Sequence, residues 1–187
     1  MVRRLPKIIS HEDVRKLLKE PNRKAPTGLR NYCMIVIMYR AGLRVSEVVG
    51  EKGLLCNQID FKNGQIRVIG KGDKERLIPL EPWVMDTLEA WKKIKPKNTK
   101  YFFCTLEGKP INRRYVNAML ERYSKRAGIE LVNPHALRHT YATDLLEDSF
   151  NIREVQQVLG HAHLNTTMIY THVNPTELRN KIRSRKI

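Results

Sequence analysis

The sequence predicts a mostly helical domain carrying one small three-stranded antiparallel sheet, an α+β arrangement. Three observations lead there. Apolar residues recur at helical spacing both early and late in the chain. Between those regions, from Leu54 to Leu80, the period changes to short β-type runs separated by turn residues. And 187 residues, 41% of them apolar, supply a real core for one domain and argue against disorder.

Each element has its own signal. Ser10 can cap the first helix, with Asp13 three residues on and Val14, Leu17 and Leu18 as its inner face. "PNRKAPTG" (Pro21 to Gly28) reads as a loop, followed by a helix from Leu29 to Arg40. That helix holds the most apolar run, "YCMIVIMY" (Tyr32 to Tyr39), which falls short of the roughly 18 residues of a membrane span and so reads as buried. Gly42 breaks the helix, and "RVSEVVG" begins a short helical piece. "LLCNQIDF", "GQIRVIG" and "ERLIPL" are the strands; Asn63-Gly64 is a hairpin signal, and Lys71-Gly72-Asp73-Lys74 makes the second turn. Pro82 opens a helix with Val84, Leu88 and Trp91 on one face, "YFFC" is a buried extended piece, and Val116, Met119, Leu120 and Tyr123 mark the next helix. Helices follow from Asn133-Pro134 and from Asn151 to Leu159. A short one holds Tyr170, and a basic tail from about residue 174 to 187 carries Leu178 and Ile182 on one helical face.

Charge narrows the function. Lys and Arg number 35 against 19 Asp and Glu, a net +16, which calls for a polyanionic partner, most often nucleic acid. The basic residues run along the whole chain instead of forming one amphipathic helix, which argues against a lipid surface; only "RNKIRSRK" in the tail is concentrated. "MVRRLPKIIS" has no apolar stretch or cleavage site of a signal peptide, so a cytoplasmic, DNA-associated protein is expected. Cys33, Cys56 and Cys104 form no C-x-x-C pair and read as plain buried thiols.

Four fragments can carry chemistry. In "NPHALRHT", Asn133 is a good N-cap and Pro134 suits the first helical position, so His135 and Arg138 share a face at a helix end that favours an anion. Taken alone, the pair reads equally well as a capping histidine and a surface ion-pair arginine. In "AGLRVSEVVG", a glycine turn places Arg44 at a helix start, where its permanent charge suits a phosphodiester, and Glu47 can orient its guanidinium. In "GKGDKER", Lys71 sits at a glycine-rich tip that is no P-loop, because a hairpin follows where a helix is required. Alone it reads as a solvated turn lysine, or as an ammonium that a hairpin tip pushes into a groove beside a leaving oxygen. In "LGHAHLNTTMIYTHV", Gly160 ends a helix just before His161, and Tyr170 follows on the next. Neither His135 with His139 nor His161 with His163 has metal-ligand spacing, so no metal is expected.

"AGLRVSE", "GQIRVIGKGDKERLIPL", "HALRHTYAT" and "VLGHAHLNTTMIYTHV" stand in this order, and together they closely resemble the catalytic domain of tyrosine recombinases, the phage-integrase and Xer-like family. The resemblance runs from about Ser10 to Asn174. It implies that Arg44, Lys71, His135, Arg138, His161 and Tyr170 are the six active-site residues, Tyr170 being the nucleophile, with Glu47 in support. His139, His163 and His172 match structural positions.

By the same resemblance the chemistry is attack of Tyr170 on a scissile phosphodiester, giving a 3′-phosphotyrosyl intermediate and a free 5′-hydroxyl, then strand exchange and resealing. Neither ATP, metal nor other cofactor is required. The implied partner is double-stranded DNA, synapsed within a homo-tetramer, with no membrane. Residues 1–187 are expected to form a single catalytic domain, without the N-terminal core-binding domain common in the family. The rival readings are a type IB topoisomerase-like relaxing enzyme and a non-enzymatic basic DNA-binding module.

Overall fold

The computed structural model describes residues 8–70, 75–160 and 175–185. Within them lie eight α-helices and one three-stranded sheet. The helices are α1 (His11–Lys19), α2 (Pro26–Arg40), α3 (Val45–Val48), α4 (Pro82–Ile94), α5 (Arg113–Arg126), α6 (Pro134–Glu147), α7 (Ile152–Leu159) and α8 (Pro175–Arg183); the strands are β1 (Ile59–Asp60), β2 (Gln65–Ile69) and β3 (Glu75–Pro79). The mostly helical class with one small antiparallel sheet is therefore what forms.

Helix α2 is the axis of the fold. It packs on α1, α3, α4 and α6, and its residues Cys33 to Met38 have no exposed surface. An apolar run without a polar stripe suits a helix covered on all sides. Its start differs from the loop that Pro21 to Gly28 predicts: the helix begins at Pro26, because proline at the first position lacks only an N–H that would be unpaired there. Gly28 lies in that first turn, where a Cβ would stand 2.0 Å from the Asn22 carbonyl oxygen. Only glycine lets the preceding loop press so closely on the helix.

Sheet order is β1-β2-β3, antiparallel throughout, with Ile66 opposite both Ile59 and Ile78. Ile66, Val68 and Ile78 are buried while Arg67 and Leu77 face outward, the period-2 alternation of a sheet with one covered face. Strand β1 is shorter than expected. Cys56–Gln58 form a 3₁₀ turn, and the Gln58 side chain accepts the Leu55 N–H at 2.7 Å, a local bond that competes with ladder pairing.

Caps match the expectations at Ser10 and Asn133, whose side chains accept the N–H groups of Asp13 and Ala136, and Asn151 also caps its helix, accepting those of Arg153 and Glu154. Phe102, Phe103 and Cys104 are buried, as is Cys33, whereas Cys56 is half-buried and not the fully covered thiol expected. The tail does form helix α8. Its Leu178 and Ile182 bury against this chain's own body, near β3. Polar ties reinforce it: Arg179 to Gln65 at 2.6 Å, Lys181 to Glu154 at 2.9 Å and Arg185 to Asp148 at 2.5 Å. Among the described residues no helix is long and apolar enough to cross a membrane.

Candidate active site

Three chain segments far apart in sequence meet where α2 turns into α3. Gly42, at φ +61°, reverses the chain; a Cβ there would stand 2.5 Å from Leu159 and 2.6 Å from Tyr141. The turn is thus pressed against both α6 and the end of α7. Arg44 follows as the N-cap of α3, its side chain 36% exposed. Glu47, one helical turn on and only 5% exposed, accepts the Arg44 backbone N–H at 2.8 Å and Arg44 Nη1 at 3.1 Å. The Glu47 carboxylate therefore reaches both the backbone and the guanidinium of Arg44.

Arg138 reaches the same place from α6. Its Nη1 donates to the Gly42 carbonyl and its Nη2 to the Leu159 carbonyl at 2.7 Å. The side chain is buried, and burial, joined by the charges of Arg44 and Arg76, lowers its pKa to about 10, with Glu47 working the other way. It still carries its charge at neutral pH. One guanidinium thereby ties the turn before Arg44 to the last carbonyl of α7. That carbonyl is among those left without an intrahelical partner.

His135 is exposed in the first turn of α6, beside a groove lined by Val45, Asn117, Glu121, Leu131 and Asn133. His139, one turn further, is held below the usual histidine value by partial burial, then by His135 and Arg138. Arg44, Glu47 and Arg138 are thus brought together, with His135 on the same helix as Arg138. Lys71, His161 and Tyr170 lie outside the described residues, as does the short helix expected to hold Tyr170.

A further arginine joins this cluster without a motif to mark it. Arg76 of β3, 10% exposed, donates from Nη1 to Glu47 Oε1 and from Nη2 to Glu47 Oε2, each at 3.0 Å, and from Nε to the Val158 carbonyl at 3.0 Å. Burial raises the Glu47 pKa, but the hydrogen bonds and charge of Arg76, then those of Arg44, outweigh it and leave the carboxyl below its ordinary value. The only sequence signal was a charged residue beside apolar ones in "ERLIPL".

A grouping that could hold a cation involves His11, Asp144 and Glu147, one ligand atom from each lying within 4.8 Å of the others. It uses α1 and the far end of α6, not the residues around Arg44. Its buried member, Asp144, already accepts the Tyr39 hydroxyl at 2.9 Å. Burial, then Asp144, raises that phenol to about 12.

Comparisons with known proteins identify the family. Residues 7–177 match the model of the phage integrase family. The chain is 38% identical over 184 residues to tyrosine recombinase XerD of Halalkalibacterium halodurans, covering 95% of this chain and 60% of that protein. It is 42% identical over 175 residues to tyrosine recombinase XerC of Psychromonas ingrahamii, covering 91% and 57%. Among solved structures it resembles the XerA recombinase with a TM-score of 0.74 at 28% identity, covering 95% of this chain and 64% of that one. The XerH site-specific recombinase bound to difH substrate, in a pre-cleavage complex, gives a TM-score of 0.71 at 30% identity, covering 96% and 55%. The chain spans about 60% of the length of the curated relatives it matches. The chain belongs to the phage integrase family and has the catalytic-domain fold of its tyrosine recombinases.

Proposed function

We propose that residues 1–187 form one catalytic domain that breaks and rejoins double-stranded DNA by site-specific recombination. The observation that carries this reading is the convergence of Arg44, Glu47 and Arg138: Arg138 bonds a carbonyl 96 residues away, two positions before Arg44. The charges of Arg44 and Arg138 oppose each other, Glu47 offsets part of that repulsion, and an incoming phosphate offsets more of it. The +16 net charge draws the DNA in.

In the reaction, Tyr170 Oη forms a bond to the scissile phosphorus as the bond from phosphorus to the 5′-oxygen breaks. His135 accepts the phenolic proton, since a free phenol with pKa of about 10 is a poor nucleophile at neutral pH. Lys71 gives a proton to the departing 5′-oxygen. Arg44, Arg138 and His161 stabilise the extra charge of the pentacovalent transition state. The product is a 3′-phosphotyrosine and a 5′-hydroxyl. One ester has replaced another, so the bond energy is kept, and a 5′-hydroxyl from a second strand reverses the step and reseals the DNA. Exchange takes place between two duplexes held in a tetramer; the relative solved on difH DNA supports DNA as the substrate.

The test is covalent capture on a pool of nicked duplexes of randomised sequence. The nick releases the short 5′-hydroxyl fragment and traps the intermediate. An adduct that survives denaturation, and that Tyr170→Phe abolishes without weakening DNA binding, is expected. Binding without any adduct supports the non-enzymatic module instead. With the captured sequence in hand, joining of two duplexes distinguishes recombination from relaxation of one supercoiled circle, and light scattering of the synapsed complex measures its stoichiometry.

A further inference from the structure

We propose that Arg76 is a positioning residue for catalysis, acting through Glu47 to set the guanidinium of Arg44. The inference rests on the recombinase reading above and adds a residue to it. All three side-chain nitrogens of Arg76 are engaged by protein: Nη1 and Nη2 by the two oxygens of Glu47, and Nε by the Val158 carbonyl. With all three of its nitrogens held by protein it serves as a framework group, whereas Arg44 is 36% exposed.

The consequence lies in how Glu47 divides its charge. A carboxylate facing one arginine takes it in a two-pronged pair and holds it fast. Here Arg76 occupies that bidentate mode. Toward Glu47, Arg44 gives one side-chain hydrogen bond to Oε1, at 3.1 Å, and one from its backbone to Oε2. Arg44 is therefore oriented by Glu47 without being captured by it, so a phosphate can reach its guanidinium. Removal of Arg76 frees Glu47 to rotate onto Arg44 and compete with the phosphate for the same guanidinium. Arg76 itself has no room to drift: a Cβ on Gly160 would stand 2.9 Å from its Nη1. Strand β3, α3 and the end of α7 are thereby locked around one carboxylate.

The experiment measures single-turnover adduct formation on a captured nicked duplex, with the scissile group either as phosphate or as methylphosphonate. The methylphosphonate lacks one negative charge, so it depends less on Arg44 for neutralisation. Arg76→Gln is expected to slow cleavage of the phosphate by about 10²-fold, with DNA affinity unchanged. The defect should shrink on the methylphosphonate, in parallel with Arg44→Ala. Arg76→Lys, a single point charge unable to grip both oxygens, should fall between. Glu81→Gln, which disturbs the Arg40 pair and leaves Glu47, Arg44 and Arg76 unaltered, is the control for a general loss of stability and should affect both substrates equally. An Arg76→Gln defect of equal size on both substrates, or no defect, overturns the proposal. If the unaltered chain forms no Tyr170-dependent adduct on either substrate, the recombinase reading itself falls, and this proposal with it.

Discussion

Glu47 and Arg76, 29 residues apart, form a two-pronged ion pair in which each guanidinium Nη stands 3.0 Å from its own carboxylate oxygen. Arg44 shares the same carboxylate. The sheet and the start of α3 are therefore coupled through one buried anion.

Acid should dissolve this coupling. The folded-state pKa of Glu47 lies below the ordinary 4.5. The unfolded chain thus binds more protons there, and the associated stability is complete above pH 4.5 and lost as pH falls through the folded value. Glu47→Gln should be less stable than the parent at neutral pH, and its melting temperature should fall less steeply between about pH 5 and pH 3. Parallel melting curves across that range would mean that another group carries the acid sensitivity.

Arg138 bonds the carbonyls of Gly42 and Leu159 at once, a geometry that a fork of donors can reach and a single ammonium cannot. Arg138→Lys should therefore lower the rate of adduct formation by roughly 10²–10³-fold. It should also speed amide hydrogen exchange at the end of α7. A rate within a few-fold of the parent would remove Arg138 from the chemistry.

Glu81 is fully buried between Arg40, which it binds through Nε and Nη2, and Arg185, 3.8 Å away. Glu81→Ala leaves two buried cations facing each other and should cost about 3–5 kcal/mol in denaturant unfolding. Replacing Arg40 and Glu81 together by apolar residues should cost less than Glu81→Ala alone. If the double change is the worse of the two, the buried pair is not what holds this region.

Gly160 ends α7 at φ +67°, a left-handed conformation that disfavours a Cβ, and it lies against Arg76. Gly160→Ala should destabilise the fold by more than about 1 kcal/mol. Because the added methyl pushes on Arg76, it should also slow cleavage on the phosphate more than on the methylphosphonate. A purely thermodynamic loss, with unchanged cleavage by the folded fraction, would separate α7 capping from the site.

Much of the architecture was legible because it rests on local rules. The caps at Ser10 and Asn133, the hairpin at Asn63-Gly64 and the change from helical to strand period all follow from side chains acting on neighbouring backbone. The misses have the same root. Helix α2 starts three residues early because Pro26 tolerates a helix start inside a loop-like sequence, and β1 is cut short by one glutamine side chain.

For the proposed site, the sequence by itself determined which residue types are available and in what order: Arg44, Lys71, His135, Arg138, His161 and Tyr170, in a strongly basic chain. Only the tertiary structure decided that Arg138 closes on the turn before Arg44, that Arg76 belongs with them, and that Leu178 and Ile182 of the tail bury against their own chain. The physical reason is range. Capping and periodicity act within a turn or a hairpin, whereas these contacts join residues tens of positions apart, whose meeting depends on how α2, α6 and the sheet pack around one shared core.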